Sequence, residues 1–117
     1  FTIGVKDFYM SGRTCELIDL LQCCTPDDDI KKGAIKALAI AILSSQFVHI
    51  PGDGPGQHFH IEHGSGMGLC SSGNTASFAF LMRVEMRTIR CPRFRASHNV
   101  IAYFRYHGDI FCIIRST

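Results

Sequence analysis

The first half of the chain contains short apolar segments, and the spacing of the apolar residues favours a strand in some of them and a helix in others. Residues 1–5 are apolar and partly β-branched, which predicts a short buried strand. Residues 13–23 carry apolar side chains at helical spacing and predict a short helix. A longer helix follows, with Thr25 expected as its N-cap, Pro26 at its first position and an acidic first turn over residues 27–29. Its apolar positions predict one buried face that ends near residue 45.

The second half of the chain predicts two hairpins on either side of a helix. Strands are expected over residues 47–50 and 57–62, around a glycine- and proline-rich turn. A glycine-serine loop over residues 64–73 leads to a predicted helix over 74–87. A basic loop through Pro92 then leads to a last predicted hairpin, with strands over 100–105 and 110–114. The order strand, helices, hairpin, helix, hairpin predicts an α+β fold, in which helices cover one face of a largely antiparallel sheet.

Length and charge narrow the class of protein. The chain of 117 residues is one domain at most, and 46% hydrophobic residues exclude wholesale disorder. The longest apolar run, residues 37–43, is too short to cross a bilayer. Residues 1–60 carry five basic and seven acidic side chains, whereas residues 61–117 carry seven basic and three acidic ones, so the positive charge lies in the second half. Five arginines within thirteen residues either form a phosphate-binding patch or are the solvated face of a loop and helix. They are Arg83, Arg87, Arg90, Arg93 and Arg95.

The six cysteines include no C-x-x-C pair and lie among apolar, helix-forming residues. This pattern favours free thiols and therefore an intracellular protein, nuclear or cytoplasmic. The first residues show no secretory signal, and the missing initiator methionine suggests a piece of a longer protein.

Alternating histidines offer one candidate for metal chemistry. On a strand, His58, His60 and Glu62 share a face, a spacing that zinc or iron sites use, and His63 follows directly. The alternative is that these side chains form the solvated face of an antiparallel strand whose apolar residues point inward.

Three segments are informative when they are read together: residues 1–9 (FTIGVKDFY), 63–72 (HGSGMGLCSS) and 104–111 (FRYHGDIF). Together they resemble the palm of a reverse transcriptase, an RNA-directed DNA polymerase of retroelements. Residues 104–111 (FRYHGDIF) resemble the family's Arg-Tyr-x-Asp-Asp hairpin, motif C, with one aspartate changed. Residues 63–72 (HGSGMGLCSS) are similar to the Gln-Gly-x-Pro-Met-Gly-x-x-x-Ser loop of motif B, although His63 and Gly66 stand where Gln and Pro are usual. Residues 1–9 (FTIGVKDFY) are similar to motif A, a strand that ends in a metal-binding aspartate, with an aromatic residue five positions later.

The resemblance covers nearly the whole chain and assigns roles to particular residues. It implies that residues 1–117 are a partial polymerase domain, a palm with motifs A to C that lacks most of the fingers and the thumb. It also makes Tyr9 the gate against ribonucleotide sugars, and Lys6 could face an incoming triphosphate. The matching residues of the motif B loop and of motif C are Gly64, Met67, Gly68, Ser72, Arg105 and Tyr106.

The departures from the family pattern concern the metal ligands. The resemblance implies three carboxylates that hold two Mg²⁺ or Mn²⁺ ions, but only Asp109 remains, because Gly4 and Gly108 occupy the other two positions. Asp7 lies three residues beyond Gly4, in a poor position to substitute. Decay of a retroelement, an edited transcript or deliberate inactivation would each explain two Asp-to-Gly changes. We therefore expect a nucleotidyltransferase relative with little or no activity.

Simpler interpretations of the same residues remain open beside the resemblance. Tyr9 could be a core aromatic, Lys6 a solvated side chain, and Arg105 a partner for a nearby carboxylate or for the backbone. Gly108 and Asp109 form turns readily whatever their ancestry. Three functions therefore remain open. The first is an inactive polymerase palm whose partners are an RNA template, a DNA primer and deoxynucleotide triphosphates. The others are a nucleic-acid-binding remnant and a histidine-based metal protein.

Overall fold

The computed structural model describes residues 1–9, 11–25, 27–66 and 69–116, which form a mixed α and β fold. Four helices and five strands are present in these ranges, and the strands make two small antiparallel sheets. The predictions for Pro26, Met67 and Gly68 fall outside the described residues. The elements, in chain order, are β1 (Thr2–Gly4), α1 (Thr14–Leu21), α2 (Asp29–Leu43), β2 (Phe47–Ile50), β3 (Gln57–His60), α3 (Ser72–Arg83), α4 (Pro92–Ser97), β4 (Val100–Tyr106) and β5 (Asp109–Ile114).

The three-stranded sheet joins the two ends of the chain. Its strand order is β1-β5-β4, and both pairings are antiparallel. The amino group of Phe1 donates a hydrogen bond to the carbonyl of Cys112, 2.9 Å away, across 111 positions of sequence. Strands β2 and β3 form a separate hairpin. The predicted combination of helices with antiparallel strands is confirmed, but the strands form two small sheets and not the single sheet predicted.

The core lies where α1, α2 and α3 meet. Its buried residues come from all three helices: Leu17, Ile18, Ala39, Leu43 and Ala79. Burial of these apolar side chains stabilises the packing of the three helices, by about 25 cal/mol for each Å² of apolar surface removed from water.

Two predictions about helix α2 are wrong. The helix begins at Asp29 rather than after Thr25, because Asp28 has extended backbone and its carboxylate accepts the N–H of Lys31 at 2.9 Å. Thr25 instead begins a turn, with its carbonyl accepting the N–H of Asp28. The predicted apolar face is also largely open: Ile30 and Leu38 are 87% and 62% exposed.

Other boundaries differ because local patterns do not record tertiary contacts. Strand β1 is exposed and not buried, since Ile3 is 49% accessible. Helix α3 ends at Arg83 and a one-turn 3₁₀ helix, Glu85–Arg87, follows it. The predicted basic loop contains α4, which begins at Pro92, a favoured first helical residue. The last hairpin turns through His107 and Gly108 alone.

Candidate functional site

The register of the three-stranded sheet brings the predicted catalytic positions together. Gly4, the last residue of β1, lies directly opposite Asp109, the first residue of β5. The N–H of Val5 donates to the carbonyl of Gly108 at 2.8 Å, which continues the pairing into the turn. Residues 4, 108 and 109 therefore meet at one end of the sheet, although the first is more than one hundred positions away in sequence.

The donor set at this end of the sheet does not fit two divalent cations. Asp109 is exposed and is its one carboxylate, since Gly4 and Gly108 have no side-chain oxygen. Asp7 lies in the turn after β1 with a left-handed φ of 51°. Within the described ranges, no three His, Cys, Asp or Glu side chains come close enough to hold a metal ion. We derive no metal-dependent step from these residues.

The two glycine positions differ in the space around them. A Cβ added to Gly4 would have no heavy atom within 4 Å other than those of its chain neighbours, so a side chain can begin there without displacing a neighbour. A Cβ at Gly108 would lie 3.2 Å from the Cβ of Phe8, a close contact with a buried residue. Position 4 is thus open to an aspartate, whereas position 108 requires Phe8 to move.

A buried ion pair anchors the hairpin that carries Asp109. Arg105, on β4, donates to the carboxylate of Glu85 from one edge of its guanidinium group, from Nε to Oε1 at 2.5 Å and from Nη2 to Oε2 at 3.2 Å. The hydroxyl of Tyr103 donates to the same carboxylate at 2.6 Å. Burial acts to raise the pKa of Glu85, but the hydrogen bonds from Arg105 and Tyr103 outweigh it and hold that pKa below its ordinary value. Burial and the bond to this carboxylate raise the pKa of Tyr103.

Arg105 has further partners that explain why it is not free to bind a ligand. Its Nη1 donates to the carbonyl of His107 at 3.0 Å, inside the turn, and its Nη2 donates to the carbonyl of Ser77 on α3 at 3.3 Å. The guanidinium carbon lies 5.1 Å from the ring centre of Phe80 and 5.8 Å from that of Phe8. Both simpler alternatives for Arg105, a carboxylate partner and a backbone partner, are observed.

The glycine loop before α3 is held by two buried polar residues. Gln46 donates to the carbonyls of Leu43 and Gly64, at 3.0 and 3.2 Å, and accepts the N–H of Gly66 at 2.7 Å. The hydroxyl of Ser72, the first residue of α3, donates to the carbonyl of Gly66. Gly64 has a left-handed φ of 75°, which glycine adopts without cost. The loop is fixed up to residue 66, and the matching Met67 and Gly68 lie outside the described residues.

The remaining motif residues occupy different environments. Tyr9 is half-buried, its carbonyl accepts the N–H of Ser65 at 2.7 Å, and it lines a cavity of about 240 Å³ next to Phe8. Lys6 is exposed in the turn after β1. Tyr106 is 76% exposed and lies opposite Asp109. The strand register therefore places Tyr106 beside the candidate site, whereas Tyr9 belongs to the neighbouring cavity.

The predicted basic patch divides into paired and exposed arginines. Arg83 lies 3.0 Å from the carboxylate of Glu16 and is partly buried. The other four arginines are exposed: Arg87, Arg90, Arg93 and Arg95. The sequence has no acidic residue between positions 86 and 108, so positive charge prevails in this segment, although Arg90 interacts with the carboxylate of Glu85 just before it.

The histidines predicted as metal ligands make other contacts. The Nε2 atom of His60 lies 2.8 Å from the carbonyl oxygen of Ser44. The ring of His58 packs against that of His49 across the β2–β3 hairpin, with centres 4.5 Å apart. His63 pairs with Arg13 in an isolated bridge. The structure brings them near other partners rather than around a common point.

Two residues that organise the site have no clear signal in the sequence. Glu85 is 4% exposed and Gln46 is also 4% exposed, so both are buried polar groups. Glu85 is a single acidic residue between apolar ones at the end of a helix, and Gln46 is a single amide between a helix and a strand. Both patterns are common in sequences, so neither indicates a tertiary partner. Their roles depend on Arg105 and on the glycine loop, which are distant in sequence.

Comparison with known proteins identifies no relative: no family model, no curated protein and no solved structure matches the chain. Among the described residues, none of the helices has the length and apolar character needed to cross a bilayer.

Proposed function

We propose that this chain is the palm portion of a retroelement reverse transcriptase whose catalytic centre has lost two of its three carboxylates. The observation that carries the proposal is the register that sets Gly4 opposite Asp109 and beside Gly108. The three motifs were matched by sequence alone, and nothing in the sequence required motif A to pair with motif C. Their meeting at one end of a sheet is the arrangement that such a polymerase needs.

The proposal gives each matched residue a definite place. Asp109 is the remaining catalytic carboxylate, at the end of β5, and Gly4 and Gly108 stand at the lost ligand positions. Gly64 begins the motif B loop, and the resemblance assigns Tyr9 and Lys6, in motif A, to the incoming nucleotide. Arg105 positions the motif C turn through Glu85 and the carbonyl of His107. We propose an intracellular protein that functions with fingers and thumb on RNA template, DNA primer and deoxynucleotide triphosphates.

In the intact family, two Mg²⁺ or Mn²⁺ ions activate the primer hydroxyl and hold the triphosphate. One exposed carboxylate supplies too few oxygen ligands to hold them. We therefore propose that nucleotide addition is lost in this chain and that binding functions persist.

Restoring the carboxylates tests the proposal directly. We expect the Gly4→Asp/Gly108→Asp variant to bind Mn²⁺, measured by electron paramagnetic resonance, about tenfold or more tightly than the unaltered chain. The control is Gly33→Asp/Gly52→Asp, which adds the same charge on α2 and in the β2–β3 turn, where an added Cβ has no heavy atom within 4 Å. Equal binding by both double variants would count against a polymerase metal centre.

Activity gives the second part of the test. The same restored palm, placed within a complete polymerase, should extend a DNA primer on an RNA template in the presence of Mg²⁺. Because position 108 is close to Phe8, the single Gly4→Asp variant is included and should recover part of the metal affinity. A folded, metal-binding double variant with no RNA-templated extension would refute the assignment.

The exposed arginines favour a second candidate function, a non-catalytic nucleic-acid-binding remnant. Arg87, Arg90 and Arg93 reach solvent, and no acidic residue follows them before Asp109. Binding through them predicts RNA affinity that falls steeply with added salt. The triple variant with glutamine at these positions should lose that salt dependence, whereas replacing the paired Arg83 should change it less.

A further inference from the structure

The β2–β3 hairpin places histidines from both of its strands on one face. His49 pairs with His58 and Phe47 pairs with His60, and residues directly opposite each other in a sheet point to the same side. The sequence predicts metal-binding partners for His58 on its own strand. The structure supplies a different one, His49, from the neighbouring strand.

His49 and His58 form a close pair of imidazole rings. Their ring centres are 4.5 Å apart and their planes are inclined by 40°. Both residues are exposed, so an ion in solution can reach them. An ion that lies about 2.0–2.1 Å from an imidazole nitrogen is about 3 Å from the centre of that ring. Two centres 4.5 Å apart can therefore share one ion, with an angle of about 90° between them as seen from the ion.

The position of the His49 ring depends on Gly56, at the end of the hairpin turn. A Cβ at position 56 would lie 3.0 Å from Nε2 of His49 and would overlap its Cε1. Gly56 also has a left-handed φ of 74°, which glycine adopts without strain. The imidazole ring thus packs over bare backbone, and a larger residue at position 56 would displace it.

His60 shares this face but is held by other contacts. Its Nε2 atom lies 2.8 Å from the carbonyl oxygen of Ser44. Because a carbonyl only accepts, this nitrogen carries the hydrogen of the bond and has no lone pair for a metal ion. The His60 ring also packs against Phe47, with centres 5.2 Å apart. In the part of the chain that the structure describes, no third His, Cys, Asp or Glu side chain joins the pair of His49 and His58.

We propose that His49 and His58 together bind one divalent transition-metal ion, Cu²⁺ more tightly than Ni²⁺ or Zn²⁺, with water as the remaining ligands. Imidazole nitrogens suit these ions, whereas Mg²⁺ and Ca²⁺ prefer oxygen ligands. Cu²⁺ forms the most stable complexes of the divalent series, and its tetragonal geometry sets neighbouring ligands at about 90°. The site is independent of the proposed polymerase centre, which lies on the three-stranded sheet.

An ion held by both strands would stabilise the hairpin. Strands β2 and β3 form a sheet of two strands, and a two-stranded hairpin is marginally stable by itself. A ligand that binds only the folded state stabilises that state by mass action. Saturation with Zn²⁺, which is redox-inert, should therefore slow amide hydrogen exchange in β2 and β3. Exchange in the core between α1, α2 and α3 should not change.

The test measures Cu²⁺ binding to the full chain by isothermal titration calorimetry. The exposed thiols are first capped with N-ethylmaleimide, because thiolates compete for copper. His49→Asn and His58→Asn should each weaken binding about tenfold or more, since losing a residue that only orients a metal ligand already costs about tenfold to hundredfold. The matched control is His60→Asn, on the same face of the same hairpin, which should leave the affinity unchanged.

Two further readouts identify the ligands. Electron spin echo envelope modulation of the Cu²⁺ complex should show two bound imidazoles in the unaltered chain and one in either single variant. Gly56→Ala should also weaken binding, because it displaces the His49 ring. Its control is Gly54→Ala, since position 54 has a positive φ as well but an added Cβ there has no heavy atom within 4 Å. Circular dichroism checks that every variant is folded.

Three results would overturn the proposal. Equal losses in His60→Asn and His49→Asn would mean that this pair is not the site. A spectrum with only one imidazole in the unaltered chain would assign Cu²⁺ to other ligands. Unchanged exchange of the hairpin amides in saturating Zn²⁺ would show that the ion does not bridge the strands. None of these results bears on the polymerase proposal, whose test adds aspartates at positions 4 and 108.

Discussion

Replacing Glu85 by glutamine should destabilise this chain more than any surface substitution, because it leaves a buried cation without its counter-charge. The Glu85 side chain is 5% accessible and that of Arg105 is 12% accessible. Glutamine has nearly the same shape, so the substitution removes charge and one acceptor oxygen and leaves little cavity. The effect therefore reports the ion pair rather than packing.

The expected magnitude follows from the contacts. Removing one partner of a buried ion pair costs about 3–5 kcal/mol in free energy of unfolding. The amide oxygen of glutamine can still accept from Arg105 or Tyr103, and a hydrogen bond with a charged group is worth about 1.5–3 kcal/mol. We expect a net loss of about 2–4 kcal/mol, a large part of the roughly 5–15 kcal/mol that stabilises a typical domain.

Urea unfolding followed by far-ultraviolet circular dichroism measures this loss. The control is Glu62→Gln, which removes the same charge from an exposed side chain and should change stability by less than about 0.5 kcal/mol. Adding Arg105→Met to the Glu85→Gln variant removes the unpaired cation. The double variant should therefore be more stable than the sum of the single losses predicts, with a coupling of about 1–3 kcal/mol.

The pH dependence gives an independent check of sign. The pKa of Glu85 is lowered in the folded state relative to 4.5, the value for a free carboxyl. Its contribution to stability is therefore complete above that value and is lost as the pH falls through the lower, folded pKa. The difference between the unaltered chain and Glu85→Gln should be constant near neutral pH and shrink in acid. A loss no larger than that of Glu62→Gln, or a gap that widens in acid, would refute the reasoning.

Other substitutions test the remaining contacts. Gln46→Ala should cost about 2–4 kcal/mol in urea unfolding, because two carbonyls and one N–H lose their partner; a loss within error would mean that water replaces them. Gly108→Ala should lower the free energy of unfolding by about 1–2 kcal/mol more than Gly4→Ala does, and its thermal midpoint should be the lower of the two; the reverse order would contradict the contact with Phe8. Leu43→Ala should cost about 2–5 kcal/mol, and Leu38→Ala, at a position that is 62% exposed, should be nearly neutral.

The sequence was sufficient where local pattern and local structure coincide. The strand Phe47–Ile50 matches the prediction residue for residue, and β4 and β5 differ from it by one residue each. In these segments β-branched and aromatic residues are bounded by turn formers, so neighbouring residues decide the structure. The pairing of those two strands also follows directly from the short turn between them.

Prediction from sequence failed where distant contacts or competing signals decide. Asp28 competes with Thr25 as a cap, and both residue types cap well, so the local sequence does not decide at which of them α2 starts. Helix α4 lies where a basic loop through Pro92 is predicted, because proline is common both in loops and at the first position of a helix. The partnership of Glu85 with Arg105 and Tyr103 spans about twenty positions and two elements, and no local pattern records it.

The pairing of β1 with β5 has a consequence for the order in which the chain folds. Because Phe1 and Cys112 are separated by 111 positions, closing this contact costs more chain entropy than forming the β4–β5 hairpin, whose strands are joined by two residues. The hairpin can thus form early, whereas β1 adds to it only after nearly the whole chain is available. Residues 4 and 109 then meet in one of the last steps of folding, and amide hydrogens of β1 should exchange with solvent before those of β4.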